Sequence, residues 1–266
     1  MAEARINREI AKSLPSDEVP RGSVCKATVD QWDEFQELEN QEVRSSCMEL
    51  IEGDIYIVEL PTSDRETFIS EMRLAILCQP AVQRYLKCYG SAYSSNRSPN
   101  QPRLQADESY GLRRETGSLL PQGVPNFGAW QCKVGTHSCW KLAKRERGGT
   151  TPGMLDWKAQ RWAGILGVRF VLCVAVTDKL ATAEYELYTV RPPARRLRIY
   201  RAEIENLDQD PVSIVAPRTE VRFDARALLG LQPGGPVPRD PPTPSGAVFP
   251  DPLVVDLCQV LADARR

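Results

Sequence analysis

The chain has 266 residues, 42% hydrophobic and 26% charged, with 34 basic residues against 35 acidic ones and a formal net charge of −1. That balance excludes a global electrostatic pull toward nucleic acid, so any contact with a polyanion must use a local basic face. No apolar run approaches the roughly 20 residues of a membrane-spanning helix, so no membrane partner is expected.

Residues 1–46 read as a polar, partly helical N-terminal extension. Its first ten residues are charged and lack an apolar segment, so a secretory signal is not expected. Trp32, Phe35 and Leu38 form one apolar stripe at helical spacing within 31–39. The stretch 48–60 reads as a hairpin that turns at Glu52-Gly53-Asp54. Ser63 with Glu66 three residues on predicts a capping box that opens a helix, with Phe68, Met72, Ala75 and Ile76 on its buried side. Pro80 ends that helix, and 85–89 is a strand expectation. Ser, Asn, Pro and Arg dominate 91–103, a loop composition.

Further strands are expected at 104–112 and 127–134, a helix at 155–165, and a strand at 168–176 that is apolar on both faces, as a centrally placed strand is. Segments 184–190 and 196–200 read as a hairpin around Pro192-Pro193. The remainder, 204–266, reads as a C-terminal extension. It holds a short helix near 224–230, a Pro/Gly-rich linker at 232–250 expected to be disordered, and a last helix over 253–264. The alternation of strands and helices over 47–203 predicts an α/β core, a mixed sheet flanked by helices, with a parallel crossover between 127 and 176.

Cys78, Cys173 and Cys258 sit in apolar runs, where a reduced thiol behaves as a small hydrophobe. The eight cysteines have no paired spacing, so a reducing, intracellular setting is expected, either cytoplasm or nucleus. Cys132, His137 and Cys139 lack the second pair that a zinc finger requires. Phosphate-cradling glycine loops are missing as well, so no nucleotide cofactor is expected.

Chemistry concentrates between 104 and 176. Asp107 ends an extended run; Gln131 and Lys133 lie two apart on a strand and share a face. Asp156 and Lys158 open the following helix, and Glu66 can reach the region from the first long helix. An acid, a residue two before a lysine and a crossover into a buried strand form the layout of a metal-dependent phosphodiesterase. Such a site needs a hard cation to polarise phosphate and activate water, and a lysine to stabilise developing charge.

The motifs Gly53-Asp54-Ile-Tyr-Ile-Val-Glu-Leu-Pro61, Ala106-Asp107-Glu-Ser-Tyr110, Pro125–Trp130, Lys133-Val-Gly135, Asp156–Trp162 and Val171–Val176 resemble the PD-(D/E)XK restriction-endonuclease-like superfamily, in particular the divergent restriction-endonuclease-domain proteins of fungi and oomycetes. The resemblance covers about 50–192 and implies that superfamily's mixed sheet. It implies Mg²⁺ held by Asp107 with Gln131, and Lys133 or Lys158 as the stabilising lysine. In one register Gln131 stands where the family has an acid. In the other, Lys133 itself replaces the acid and Lys158 is the lysine moved onto the helix. Either way an anionic ligand is missing, because Gln is neutral and Lys repels a cation. DNA is the expected partner, through a basic cluster with Arg195, Arg196 and Arg198 and a second with Lys144. Hydrolysis of DNA and an inactive nuclease-fold module that binds nucleic acid or protein both follow from this pattern. A homo-oligomer is compatible with either.

Overall fold

The computed structural model describes residues 2–13, 23–38, 41, 43, 47–57, 62–90, 102–113, 130–136, 155–165, 167–191, 203–206, 209–231, 234–238 and 247–266, of which 130–136 are described by backbone alone.

Two packing units share the described residues. The first holds α1 (Ala2–Ser13), α2 (Val29–Gln36) and a three-stranded sheet in which β1 (Cys25–Lys26) and β2 (Met48–Ile51) flank β3 (Asp54–Ile57). Thr28 caps α2 through a capping box with Gln31. The expected stripe packs as foreseen: Trp32 and Phe35 stack at 5.8 Å in a cluster with Ile6, Ile10, Leu50 and Ile55. This packing runs across the expected boundary at 46. The β2–β3 hairpin turns at Glu52 and Gly53, both with positive φ, as a two-residue hairpin requires.

The second unit is a seven-stranded mixed sheet. Its order is β10 (Val212–Ser213), β8 (Ala183–Arg191), β7 (Phe170–Val176), β6 (Trp130–Thr136), β5 (Glu108–Leu112) and β4 (Leu86–Cys88), with β9 (Glu203–Ile204) on a further part of β8. Only β6 and β7 pair in parallel, joined across α5 (Leu155–Ala163), as the crossover predicts. Every residue of β7 is buried. Phe170, Leu172, Val174 and Val176 face α3 (Ser63–Leu77) and α7 (Leu257–Ala264), whereas Val171, Cys173 and Ala175 face α5. Alternate side chains of one strand thereby fill two cores.

Several expectations are corrected. Thr62, not Ser63, caps α3, its hydroxyl accepting from Arg65 N. The residue three beyond Thr62 is Arg65, so Glu66 has no capping-box role. A short α4 (Val82–Tyr85) precedes β4. The terminal helix starts later than its apolar content suggests. Leu253–Asp256 form β12 against β11 (Glu220–Phe223), a strand with no sequence expectation, and Asp256 then caps α7. Residues 232–233 and 239–246 of the expected linker lie outside the described residues; at its far end Phe249 is buried and packs edge-on against Tyr85 at 6.0 Å. Between β11 and that segment lies α6 (Ala225–Leu228), capped by Asp224. Cys78 is exposed, because it follows Leu74 by one helical turn on the solvent side of α3, while Cys173 is buried. The expected strand 196–200, and with it the hairpin around Pro192, lies outside the described residues.

Leu172 sits at the centre of the sheet with no exposed surface. Leu172→Ala is expected to cost about 2–5 kcal/mol, as large-to-small core changes do, measured by denaturant unfolding.

Candidate functional site

Asp107 immediately precedes β5, and Glu108 pairs with Cys132 of β6. Continuing that antiparallel register by one step sets Asp107 against Lys133. Lys133 in turn pairs with Cys173 of β7, and Cys173 with Glu186 of β8. Asp107, Lys133, Cys173 and Glu186 therefore occupy one lateral row across four strands. Neighbouring strands lie about 4.8 Å apart, so the Lys133 and Glu186 backbones are about 10 Å from one another. Gln131 lies two rows along, between Ser109 and Val171. The side chains of Gln131 and Lys133, and the whole of Arg195, Arg196, Arg198 and Lys144, lie outside the described residues.

Burial decides what Asp107 can do. Its side chain is 2% exposed and forms an ion pair with Arg65 Nη2, whose own side chain is 4% exposed. Arg65 Nη1 also lies 3.4 Å from Oε1 of Glu66, which is 52% exposed. The neighbouring Glu108 is buried too. Arg73 Nε donates to it at 3.0 Å and Nη2 completes a second contact, while the Cys88 thiol donates to its other oxygen at 2.7 Å. Two α3 arginines thus take two consecutive acids. The hydrogen bond from Arg73 to Glu108 holds that guanidinium above its ordinary pKa. Desolvation, then the Glu108 contact, pushes the Cys88 thiol up to about 11.

Lys158 is buried on α5 and reaches the first packing unit, its Nζ 3.2 Å from Glu49 Oε1 on β2. It shares a cleft with Gln105, two residues before Asp107. Of the expected site residues, the fold brings Asp107 and Lys133 to adjacent backbone positions and sets Glu66 against Arg65, the partner of Asp107. Lys158 is committed to a different acid.

Sequence reasoning missed Arg65, Glu49 and a second acidic cluster. The Tyr188 hydroxyl lies 2.5 Å from Asp156 Oδ1 and 2.6 Å from Glu186 Oε2. The single hydroxyl hydrogen can be given to only one of the two carboxylate oxygens at a time, so the two acids compete for it. Desolvation, then the surrounding acids, raises the Tyr188 phenol far above its usual value. The alternation of Glu186 and Tyr188 on one strand was legible; that α5 would bring Asp156 to them was not.

The donor set was tested against Mg²⁺. Among the described residues no group of three or more His, Cys, Asp or Glu is arranged to hold a metal ion. Asp107 already has a guanidinium as its counter-charge, and a divalent cation there would lie beside that fixed positive charge. The described residues do not fit the ion.

No protein-family model matches the chain, and no curated protein does. Among solved structures, a protein of Anabaena variabilis ATCC 29413, described as a candidate nuclease belonging to DUF820, is similar to this chain with a TM-score of 0.37 and 15% identity, over 67% of this chain and 83% of that one. At that level likeness assigns no function.

Two outcomes follow. Asp107→Ala removes a buried counter-charge from Arg65 and is expected to destabilise by about 3–5 kcal/mol, while the double change Arg65→Met, Asp107→Leu recovers most of the loss, read from unfolding curves. Cys88 and Tyr188 both have raised folded-state values. Their contribution to stability is complete below the unfolded values, near pH 8.5 for Cys and 10 for Tyr. It falls as pH rises through about 11 for Cys88 and further still for Tyr188. Melting temperature is expected to drop from about pH 9 upward, less steeply in Tyr188→Phe, and Cys78 to alkylate well before Cys88.

Proposed function

We propose that the protein is a nucleic-acid-binding module on a nuclease-like frame, and that it does not cut the strand it contacts. The buried Arg65–Asp107 pair carries the reading. It gives the one retained metal-ligand acid an internal cation, and the adjoining strand supplies Gln131 where a second acid is required. A site of this kind has lost the charge that attracts a divalent ion and kept the shape around it.

Support for nucleic acid comes from the chain itself. Residues 191–201 contain five arginines, Arg191, Arg195, Arg196, Arg198 and Arg201, and no acid. Phosphate contacts of this type make affinity fall with salt, by about 0.7–0.9 log units per contact for each log unit of salt.

A second reading, a working endonuclease, is favoured by the register that sets Asp107 against Lys133. The two readings separate in one assay. The full-length protein is incubated with supercoiled plasmid in Mg²⁺ or Mn²⁺, with Asp107→Asn as control, and its melting temperature is followed with and without metal. No nicking above the control and no metal-dependent stabilisation are expected. Metal-dependent nicking that Asp107→Asn removes would establish the enzyme instead. Binding is read by anisotropy with a labelled single-stranded oligonucleotide, and the affinity is expected to fall steeply with salt. Salt-independent affinity, or no binding at low salt, overturns the nucleic-acid assignment.

A further inference from the structure

Three ion pairs join the first packing unit to the second, and all three run the same way. Arg103 Nη1 lies 2.5 Å from Glu37 Oε1, and its Nε lies 3.8 Å from Asp33 Oδ2. Lys158 Nζ lies 3.2 Å from Glu49 Oε1. In each pair the acid belongs to the first unit, on α2, its C-cap or β2, and the cation belongs to the second. Backbone contacts follow the same seam. Arg161 Nη1 donates to Leu50 O at 3.3 Å, and the Arg103 N–H donates to Asp33 Oδ1 at 3.4 Å. Lys158 and Arg161 are three apart on α5, so they share one side of it.

The sequence carries the same asymmetry. Residues 29–42 hold six acids, Asp30, Asp33, Glu34, Glu37, Glu39 and Glu42, and no base. The first unit thus sets a row of carboxylates against cations of the second, in the way that a nucleic-acid strand sets its phosphates against a protein.

This seam is built as a joint between domains and not as a core. The buried apolar residues of the first unit form one cluster, and those around α5 form another. Among the described residues the two sheets share no strand, and the chain passes between the units once, between Ile57 and Thr62. A cleft of about 360 Å³ opens along the joint, with Val29 and Leu50 on one side and Pro102, Trp157 and Arg161 on the other. Units joined by polar contacts and a single connection are free to part. Docked, they shut the Lys158 side chain, 5% exposed, away from any outside anion.

We infer that Arg103, Lys158 and Arg161 form a cationic face for the phosphates of single-stranded nucleic acid, and that the acidic first unit covers this face by standing in for the strand. Strand and first unit compete for the same cations, so the strand binds the parted form. Apparent affinity is then reduced by the fraction of molecules that are docked, and it rises when docking is weakened. The inference rests on the nucleic-acid reading above and adds where the strand binds and what keeps it out.

The test uses the full-length chain and a labelled single-stranded oligonucleotide, read by anisotropy at one salt concentration. The triple change Asp33→Asn, Glu37→Gln, Glu49→Gln removes the cover and is expected to tighten binding about tenfold or more. A control of equal charge away from the seam, Glu9→Gln, Asp30→Asn, Glu34→Gln, should stay within about threefold of the unchanged chain. The double change Arg103→Gln, Lys158→Gln breaks the same ion pairs but removes the cations, and it should bind no more tightly than the unchanged chain. Melting curves show that each variant folds. The unchanged chain gives a reading that needs no substitution: the oligonucleotide should speed amide hydrogen exchange in peptides spanning 29–37 and 48–51. Unaltered affinity in the seam triple, an equal gain in the control or in the cation variant, or exchange that the strand fails to speed overturns the inference. The nucleic-acid module then still stands on the binding of the unchanged chain. No binding by any of these proteins removes both.

Discussion

Seven consecutive residues with no exposed side chain, Phe170 to Val176, leave β7 neither an edge nor a solvent face. That strand has to be paired on both sides and covered on both faces, and the rest of the molecule is arranged around the requirement. Pairing in parallel with β6 demands a crossover, and α5 supplies it. Pairing with β8 on the other side brings Glu186 and Tyr188 to the α5 face. One face then needs α3 and α7; the other needs α5. The row that holds Asp107, Lys133, Cys173 and Glu186 is a by-product of this packing, because register is set by the apolar pattern and not by the charges.

The same logic explains what the sequence makes legible. An unbroken apolar run, an alternating hairpin and a helix with a clear apolar side are local patterns, and β7, the β2–β3 hairpin, α2 and α3 all appear close to their expected places. The tail misleads for a physical reason. Leu253-Val-Val-Asp256 is apolar enough to join the following helix on composition, yet its β-branched residues pair with β11. Phe249 is the sole aromatic residue in a Pro/Gly-rich context, which hides a tertiary anchor inside what reads as a linker.

The candidate site was legible only in part, and the missing part is all tertiary. Asp107 and Lys133 follow from strand spacing. Arg65 does not, since an arginine in the first turn of a helix normally faces solvent. Glu49 does not either, because only the docking of the hairpin onto α5 brings it to Lys158. Each buried charge on this side of the molecule finds its partner on an element distant in sequence: Asp107 on α3, Glu108 on α3, Lys158 on β2. Spacing rules cannot see such pairs.

Those pairs bear on what a metal ion would meet at Asp107. A buried carboxylate needs a counter-charge, and removing that charge is far costlier than replacing both members together. In a metal-dependent frame the counter-charge is the ion, and two acids share it. A lone carboxylate is a poor trap for a divalent cation, yet it is just as costly to leave unpaired. Arg65 meets that need with a cation fixed to the chain, requiring no ion from solution. An acid introduced at 131 alone leaves the Asp107 carboxylate with Arg65 as its counter-charge, so a Gln131→Glu variant should still bind no ion unless Arg65 is removed with it.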